Sequence, residues 1–307
     1  MKLRIGTRGS ALARVQAADV ARRITAAGHS AEIVIIATLG DRVSDRAFSD
    51  VGAFGIFVRE IETALLDRAI DVAVHSYKDL PSKGPGELLV AAVPERLDAA
   101  DILLVRAVAG TSEGPIPVRY GARVGTSAAR RRALLNAARP DLDVDLLRGN
   151  VPTRIRALID GQFDGIVLAA AGVSRLQRSD DSERLVLPPD IICTRLDPTQ
   201  FVPAPAQGAI ALQVRANDDV AREAIGALND PTTERALYAE RTALALADGG
   251  CTLPFGAWCE VQTDGSLILW AVLGLDDGTV ARCRSAGDDP SAIAGAAWRE
   301  LTAVTSK

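Results

Sequence analysis

The 307-residue sequence has only four cysteines, two histidines and four lysines, and each scarcity removes a class of function. Cys193, Cys251, Cys259 and Cys283 form no Cys-x-x-Cys pair and no regular framework, which argues against a stapled scaffold and for a reducing compartment. His29 and His75 stand apart from any ligand-spaced cysteine or carboxylate, so no metal partner is expected. No stretch reaches the ~18 apolar residues of a spanning helix, and Met1 to Gly6 turns polar before a signal-peptide apolar region develops. The expectation is a cytoplasmic protein without a membrane partner. Internal repeats, low-complexity tracts and a G-x-x-x-x-G-K-[ST] loop are also missing, and the glycine turns lack dinucleotide spacing, which weakens a nucleotide enzyme. What is present, 48% hydrophobic and 24% charged residues, suits a globular chain long enough for about two domains of the usual size.

Charge is informative by its placement. The net charge is -4, yet Arg119 to Arg156 holds nine arginines against Asp141, Asp143 and Asp145, +6 within 38 residues. Arginine supplies nearly all the positive charge, and its planar fork matches carboxylate or phosphate. An anionic small molecule is the natural partner of such a stretch; nothing points to nucleic acid.

The hydrophobic pattern alternates between strands and helices. Leu3–Gly6, Glu32–Thr38, Ile70–His75 and Leu88–Val93 read as strands, with helices over Ala11–Ala27 and Ile56–Leu66. This predicts an α/β region with a mainly parallel sheet. Strands at Ile102–Val105, Arg123–Gly125, Val144–Leu147 and Gly165–Ala169, with helices from Ala128 and Val151, predict a second. Pro188 to Ala206 reads as a link leading to a strand at Ala209–Val214. The tail predicts helices at Asp219–Leu228 and Thr233–Ala247, three strands around Ala257–Gln262, Leu267–Leu273 and Thr279–Arg284, and a helix at Ser291–Thr302. Asp264-Gly265 and Asp277-Gly278 are hairpin turns, so this last sheet is antiparallel.

Three strand-to-helix junctions have the construction of an anion site. Thr7-Arg8-Gly9-Ser10, Gly125-Thr126-Ser127 followed by Arg130 and Arg131, and Arg148-Gly149-Asn150 followed by Arg154 each join a helix start to arginine. Each taken alone reads equally as a capped helix with surface arginines. His75-Ser76-Tyr77-Lys78-Asp79-Leu80-Pro81 ends a strand, the end at which open α/β sheets bind ligands. Asp79 there is either a turn-forming or ion-paired surface residue or a carboxylate that stabilises a cation or moves protons. Lys78 and Asp79 would point oppositely in an extended strand, so one ligand meets both only at a turn. Gly249-Gly250-Cys251 places a thiol on a glycine loop, a nucleophile or simply a small apolar filler.

Taken in order, Ile5 to Ser10, Thr38-Leu39-Gly40-Asp41, Ala73 to Pro81, Val124 to Ser127, Leu147 to Val151, Pro203 to Ala209 and Gly250-Cys251 resemble the porphobilinogen deaminase family. The resemblance implies two domains like those of type II periplasmic binding proteins plus a smaller C-terminal α+β domain with an antiparallel sheet. The implied boundaries are 1–94 with 195–215, then 95–194, then 216–307. It implies a monomeric transferase, hydroxymethylbilane synthase, that joins four porphobilinogen units head to tail with loss of ammonia. One dipyrromethane cofactor per chain would be bound through a thioether to Cys251. Asp79 matches the catalytic residue, and Lys78, Thr126, Ser127, Arg130 and Arg131 match contacts to the cofactor. Arg8, Ser10, Ser76, Arg148, Arg154, Arg175 and Gln207 match contacts to substrate. The chain departs from the family in lacking lysines over the lid Asp50 to Gly55, in Ala128-Ala129 after Ser127, and in Ala206 where glycine is frequent. The alternative is a non-catalytic polycarboxylate receptor, which would need the arginines but neither Asp79 nor a loaded Cys251.

Overall fold

The computed structural model describes residues 1–37, 58–179, 184–247 and 253–305. Cys251, Thr38 to Asp41 and the lid at 50–55 lie outside the described residues. Two compact units are present, one built on Met1–Leu97 and Gly208–Glu234, the other on Asp98–Arg178, Arg184–Gln207 and Arg235–Lys307.

In the first unit β1 (Lys2–Arg8) leads into α1 (Ala11–Ala26), whose Ala17, Val20 and Ile24 are fully buried at helical spacing. β2 (Ser30–Ile36), α2 (Arg59–Leu66), β3 (Val72–Ser76) and β4 (Leu88–Ala92) follow. The chain returns through β10 (Ile210–Arg215) and α6 (Asp219–Gly226). The sheet order is β2-β1-β3-β10-β4, with β1 parallel to β2 and β3, and β10 antiparallel to β3 and β4. Four strands therefore share a direction, as the sequence leads one to expect, and the reversed one arrives from far along the chain. Every residue of β10 is buried, as its place between two strands requires.

The second unit repeats this order. β5 (Asp101–Arg106), β6 (Arg123–Thr126), α3 (Ala129–Ala138), β7 (Asp143–Leu146), α4 (Val151–Ile159), β8 (Gly165–Ala169), α5 (Ala170–Gln177) and β9 (Ile191–Arg195) build a sheet ordered β7-β6-β8-β5-β9. Here β5 is the reversed strand, antiparallel to β8 and β9. Both sheets thus have the periplasmic-binding-protein (type II) layout. β9 corrects the reading of 188–206 as a mere link. Its edge position leaves it half exposed, so it lacks the apolar run of a central strand. The units change over at 97/98 and 207/208. Phe201 and Val202 pack into the second unit's core, and α6 buries Ala221 and Ile225 in the first.

The tail of the second unit is an antiparallel sheet of β11 (Phe255–Val261), β12 (Leu267–Gly274) and β13 (Val280–Gly287). Gly265 and Gly278 take φ of +85° and +82° in the two hairpin turns, where a side chain would be strained. One face packs on α7 (Pro231–Ala247) and α8 (Pro290–Thr305) through Ala239, Ala257, Leu269 and Ala294. The other face sets Trp258 and Trp270, stacked at 4.9 Å, beside the core around Leu134 and Leu135 of α3.

Candidate active site

In the first unit the site residues leave the carboxyl ends of β1 and β3, which are parallel neighbours. Arg8 ends β1, and Ser10 occupies the N-cap of α1 with extended φ and ψ, yet its side chain makes no cap bond. A plain capping role for Ser10 is therefore not what the geometry shows. Gln16, unnoticed in the sequence, is buried on α1, and its Nε2 donates to Ser76 Oγ at 2.9 Å. A buried amide facing the end of a motif-bearing strand could have been suspected only once helix and strand were placed together.

Tyr77–Asp79 form one 3-10 turn, closed by the Leu80 amide donating to Tyr77 O at 3.2 Å. The Tyr77 amide donates to Ala209 O at 3.1 Å, and Leu80 is buried against Val58 and Ala211, so both ends of the turn are pinned. This is the turn that lets Lys78 and Asp79 serve one ligand, with Asp79 exposed and Lys78 half-buried. Below it, Gln213 of β10 donates from Nε2 to Glu62 at 3.1 Å, so its Oε1 accepts from His75 Nε2–H at 3.0 Å. Burial pushes the His75 pKa down to about 4, against the opposing hydrogen bond to Gln213, so the ring is neutral near pH 7. Both histidines lie outside metal-like groupings, and among the described residues no such cluster occurs.

In the second unit α3, α4 and α5 begin at the carboxyl ends of β6, β7 and β8, so their site residues share one end of the sheet. Thr126 is buried, with Oγ1 accepting from the Ala128 amide at 3.3 Å, and Ser127 is exposed. Arg148 is exposed. Gly149 adopts φ of +102°, a conformation that excludes an ordinary residue, and Asn150 caps α4 by accepting from the Thr153 amide at 2.9 Å. Arg154, one turn into α4, donates from Nε to Gly149 O at 2.7 Å. Burial and the neighbouring Arg131 charge push its pKa down to about 10. Arg175 is half-buried on α5.

Arg130 and Arg131 differ from the exposed forks that the sequence suggests. They are 4% and 5% exposed and converge on Asp101, which is completely buried. Arg130 Nη2 donates to Asp101 Oδ2 at 2.8 Å and Arg131 Nη2 to Oδ1 at 2.7 Å. Gln207 is buried too, with Nε2 donating to Asp101 Oδ1 at 2.8 Å and to Ala99 O at 2.7 Å. Burial opposes ionisation of Asp101, but the two guanidinium charges win and hold its carboxyl well below the usual range. Asp101 was legible in principle: an acid heading the apolar run Ile102 to Val105 demands a counter-charge.

The described thiols are Cys193, exposed, and Cys259 and Cys283, both buried. Burial, reinforced by Glu300, pushes the Cys283 thiol up to about 11, and burial raises that of Cys193, so neither has thiolate character.

Residues 3–223 match the family model described as porphobilinogen deaminase, dipyromethane cofactor binding domain. The chain is 41% identical to the porphobilinogen deaminase of Lachnospira eligens over 98% of this chain and 99% of the relative. It is 44% identical to that of Thermus thermophilus, covering 89% and 85%, and 40% identical to that of Syntrophobacter fumaroxidans, covering 90% and 85%.

Proposed function

The chain belongs to the porphobilinogen deaminase family, and from that premise we propose that it condenses four porphobilinogen molecules head to tail into hydroxymethylbilane, releasing ammonia. The observation that carries this reading is a surplus of positive charge where a ligand would need it. Two buried arginines share the single carboxylate of Asp101, and Arg154 beside them is already partly deprived of water. A molecule carrying several carboxylates fits that surplus, and a dipyrromethane is such a molecule. Bound through a thioether at Cys251, it would supply the free pyrrole carbon to which each new unit is joined.

Asp79 serves the bond-breaking step. When the aminomethyl C–N bond of porphobilinogen breaks, the electron pair leaves with nitrogen as ammonia, and positive charge spreads to the pyrrole nitrogen. A carboxylate held by the pinned 3-10 turn stabilises that charge and accepts the pyrrole N–H. Lys78 on the same turn, Arg8, Ser10 and Ser76 in the first unit, and Thr126, Ser127, Arg148 and Arg175 in the second supply donors to acetate and propionate side chains. Hydrogen bonds to these side chains orient the pyrrole without taking part in charge development. The protein is proposed to act as a cytoplasmic monomer; among the described residues no helix is long and apolar enough to cross a membrane.

Intact-mass measurement with an ammonia-release assay tests the reading. The expected result is an adduct of two pyrrole units on the purified chain, ammonia released on adding porphobilinogen, and an adduct lost in Cys251→Ser. An unmodified mass that gains nothing from porphobilinogen, with carboxylate binding intact, would establish the receptor instead.

A further inference from the structure

The hydrogen-bonding capacity of Arg130 and Arg131 is largely committed within the protein. Arg130 spends Nη1 on Val202 O at 2.6 Å and Nη2 on Asp101. Arg131 spends Nε at 3.1 Å and Nη2 on Asp101, and Nη1 on Val167 O at 3.0 Å. The stem of Arg130 is equally confined. A Cβ on Gly256 of β11 would lie 2.8 Å from Arg130 Cδ and 2.9 Å from the carbonyl oxygens of Val202 and Pro203, so the strand needs glycine there. The loop carrying these carbonyls is anchored in turn. Ala206 N donates to Glu240 Oε2 at 2.6 Å, and the other oxygen of Glu240 accepts from the Cys259 amide at 2.8 Å. The next residue is Gln207, whose Nε2 is shared between Asp101 and Ala99 O.

What this cluster offers outward is therefore charge. Two guanidiniums against one carboxylate leave one uncompensated positive charge among side chains at most 5% exposed. Water screens it poorly there, so it acts over more distance than a surface charge would. We infer that Asp101 and Gln207 are positioning residues that hold this surplus charge in place, and that a ligand carboxylate answers the charge without Gln207 touching the ligand. This rests on the carboxylate-binding reading above and changes the roles within it. Arg154, half-buried and next to Arg131, is left to make the direct contact.

The test separates charge from contact at one position, on the full-length protein. Gln207→Met keeps the length and the charge count, whereas Gln207→Glu adds a carboxylate and cancels the surplus. Two readouts are used. One is thermal stabilisation by citrate, a tricarboxylate probe that requires no catalysis; the other is the rate at which apo-protein acquires its adduct from porphobilinogen, followed by mass. The glutamate variant is expected to need at least tenfold more citrate and to load at least tenfold more slowly. The methionine variant should stay within threefold of wild type on both, even if its melting temperature falls. Equal losses in both variants would make Gln207 a direct ligand contact and overturn the inference. A glutamate variant indistinguishable from wild type would overturn it too, because the surplus charge would then not hold the anion. Should Gln207→Glu fail to fold, Arg130→Met removes the same charge from a side chain with its terminal N–H groups already committed, and the same tenfold loss is expected. Wild-type protein that shows the citrate pattern but acquires no adduct would sink the enzymatic reading and leave this one standing.

Discussion

The two five-stranded sheets have one strand order and one reversed strand each, yet the reversed strands do opposite electrostatic work. In the first unit β10 brings Gln213 between His75 and Glu62, a chain of hydrogen bonds in which the histidine is kept neutral. In the second unit β5 brings Asp101 between two arginines, an ionic cluster that does not balance. The difference follows from where along the reversed strand the polar residue sits. Asp101 is the first residue of β5 and pairs with Ala169, the last residue of β8, so it lies at the end of the sheet where the helices begin. Gln213 pairs with Ala73, well inside β3. A reversed strand delivers its own amino end to the ligand end of a parallel sheet. A shared scaffold can therefore give one unit a quiet interior under an exposed acid, and the other a charged interior under its binding residues.

The largest effect expected from breaking this contrast is at Asp101. Asp101→Ala leaves two buried guanidiniums without their partner, and removal of one member of a buried ion pair costs about 3–5 kcal/mol. Urea denaturation should show a loss in that range. A loss under 1 kcal/mol would mean that water or relaxation solvates the arginines. The corresponding change in the first unit should behave in the opposite way. Asp79 is exposed, so Asp79→Asn should leave the denaturation midpoint close to wild type while turnover of porphobilinogen falls by about 10²–10³ fold or more, the usual cost of deleting a charge-stabilising group. Near-normal turnover would remove Asp79 from the chemistry.

Much of this contrast was legible beforehand. The alternation of apolar runs placed the strands at the core of both sheets, and the Asp-Gly pairs placed both hairpin turns of the third. The motif residues Arg8, Ser76, Asp79, Thr126 and Arg148 stand at strand ends, which the pattern of strand followed by helix implies. Burial of Arg130 and Arg131 was not legible, because an arginine pair in the first turn of a helix looks the same whether water or Asp101 faces it. The acid that settles the matter is 29 residues upstream of Arg130, and only the reversal of β5 brings it near. Gln16, Glu62 and Gln213 escaped for the same reason. A polar side chain on an otherwise apolar helix or strand shows its purpose only when its partner on another element is known.

The hydrogen-bonded interior of the first unit should show itself in the acid limb of stability. Burial depresses the His75 pKa from 6.5 to about 4 in the folded state, so between those values the unfolded chain takes up a proton that the folded chain refuses. No penalty exists above pH 6.5, and the cost grows as pH falls, levelling near pH 4 at about 3 kcal/mol. His75→Gln has no proton to refuse. Its unfolding free energy should therefore be flatter from pH 7 to 4 than that of wild type, whatever its value at pH 7. Parallel curves would show that His75 is solvated when folded.

The smallest effect sharpens the comparison at the junction of loop and charge cluster. Ala206 is completely buried at φ of +60°, with its amide held by Glu240 and Gln207 next in sequence. An L-residue with a Cβ pays about 1–2 kcal/mol in that left-handed region. Glycine escapes this strain but loses about 0.4–1 kcal/mol through a freer unfolded chain. Ala206→Gly should therefore stabilise the protein by about 0.5–1 kcal/mol, with citrate binding unchanged because no charge moves. Destabilisation would mean that the alanine methyl contributes more packing than the backbone strain costs. The position would then resemble an ordinary core alanine, and the loop that presents Gln207 would be held by burial rather than by the Glu240 hydrogen bond.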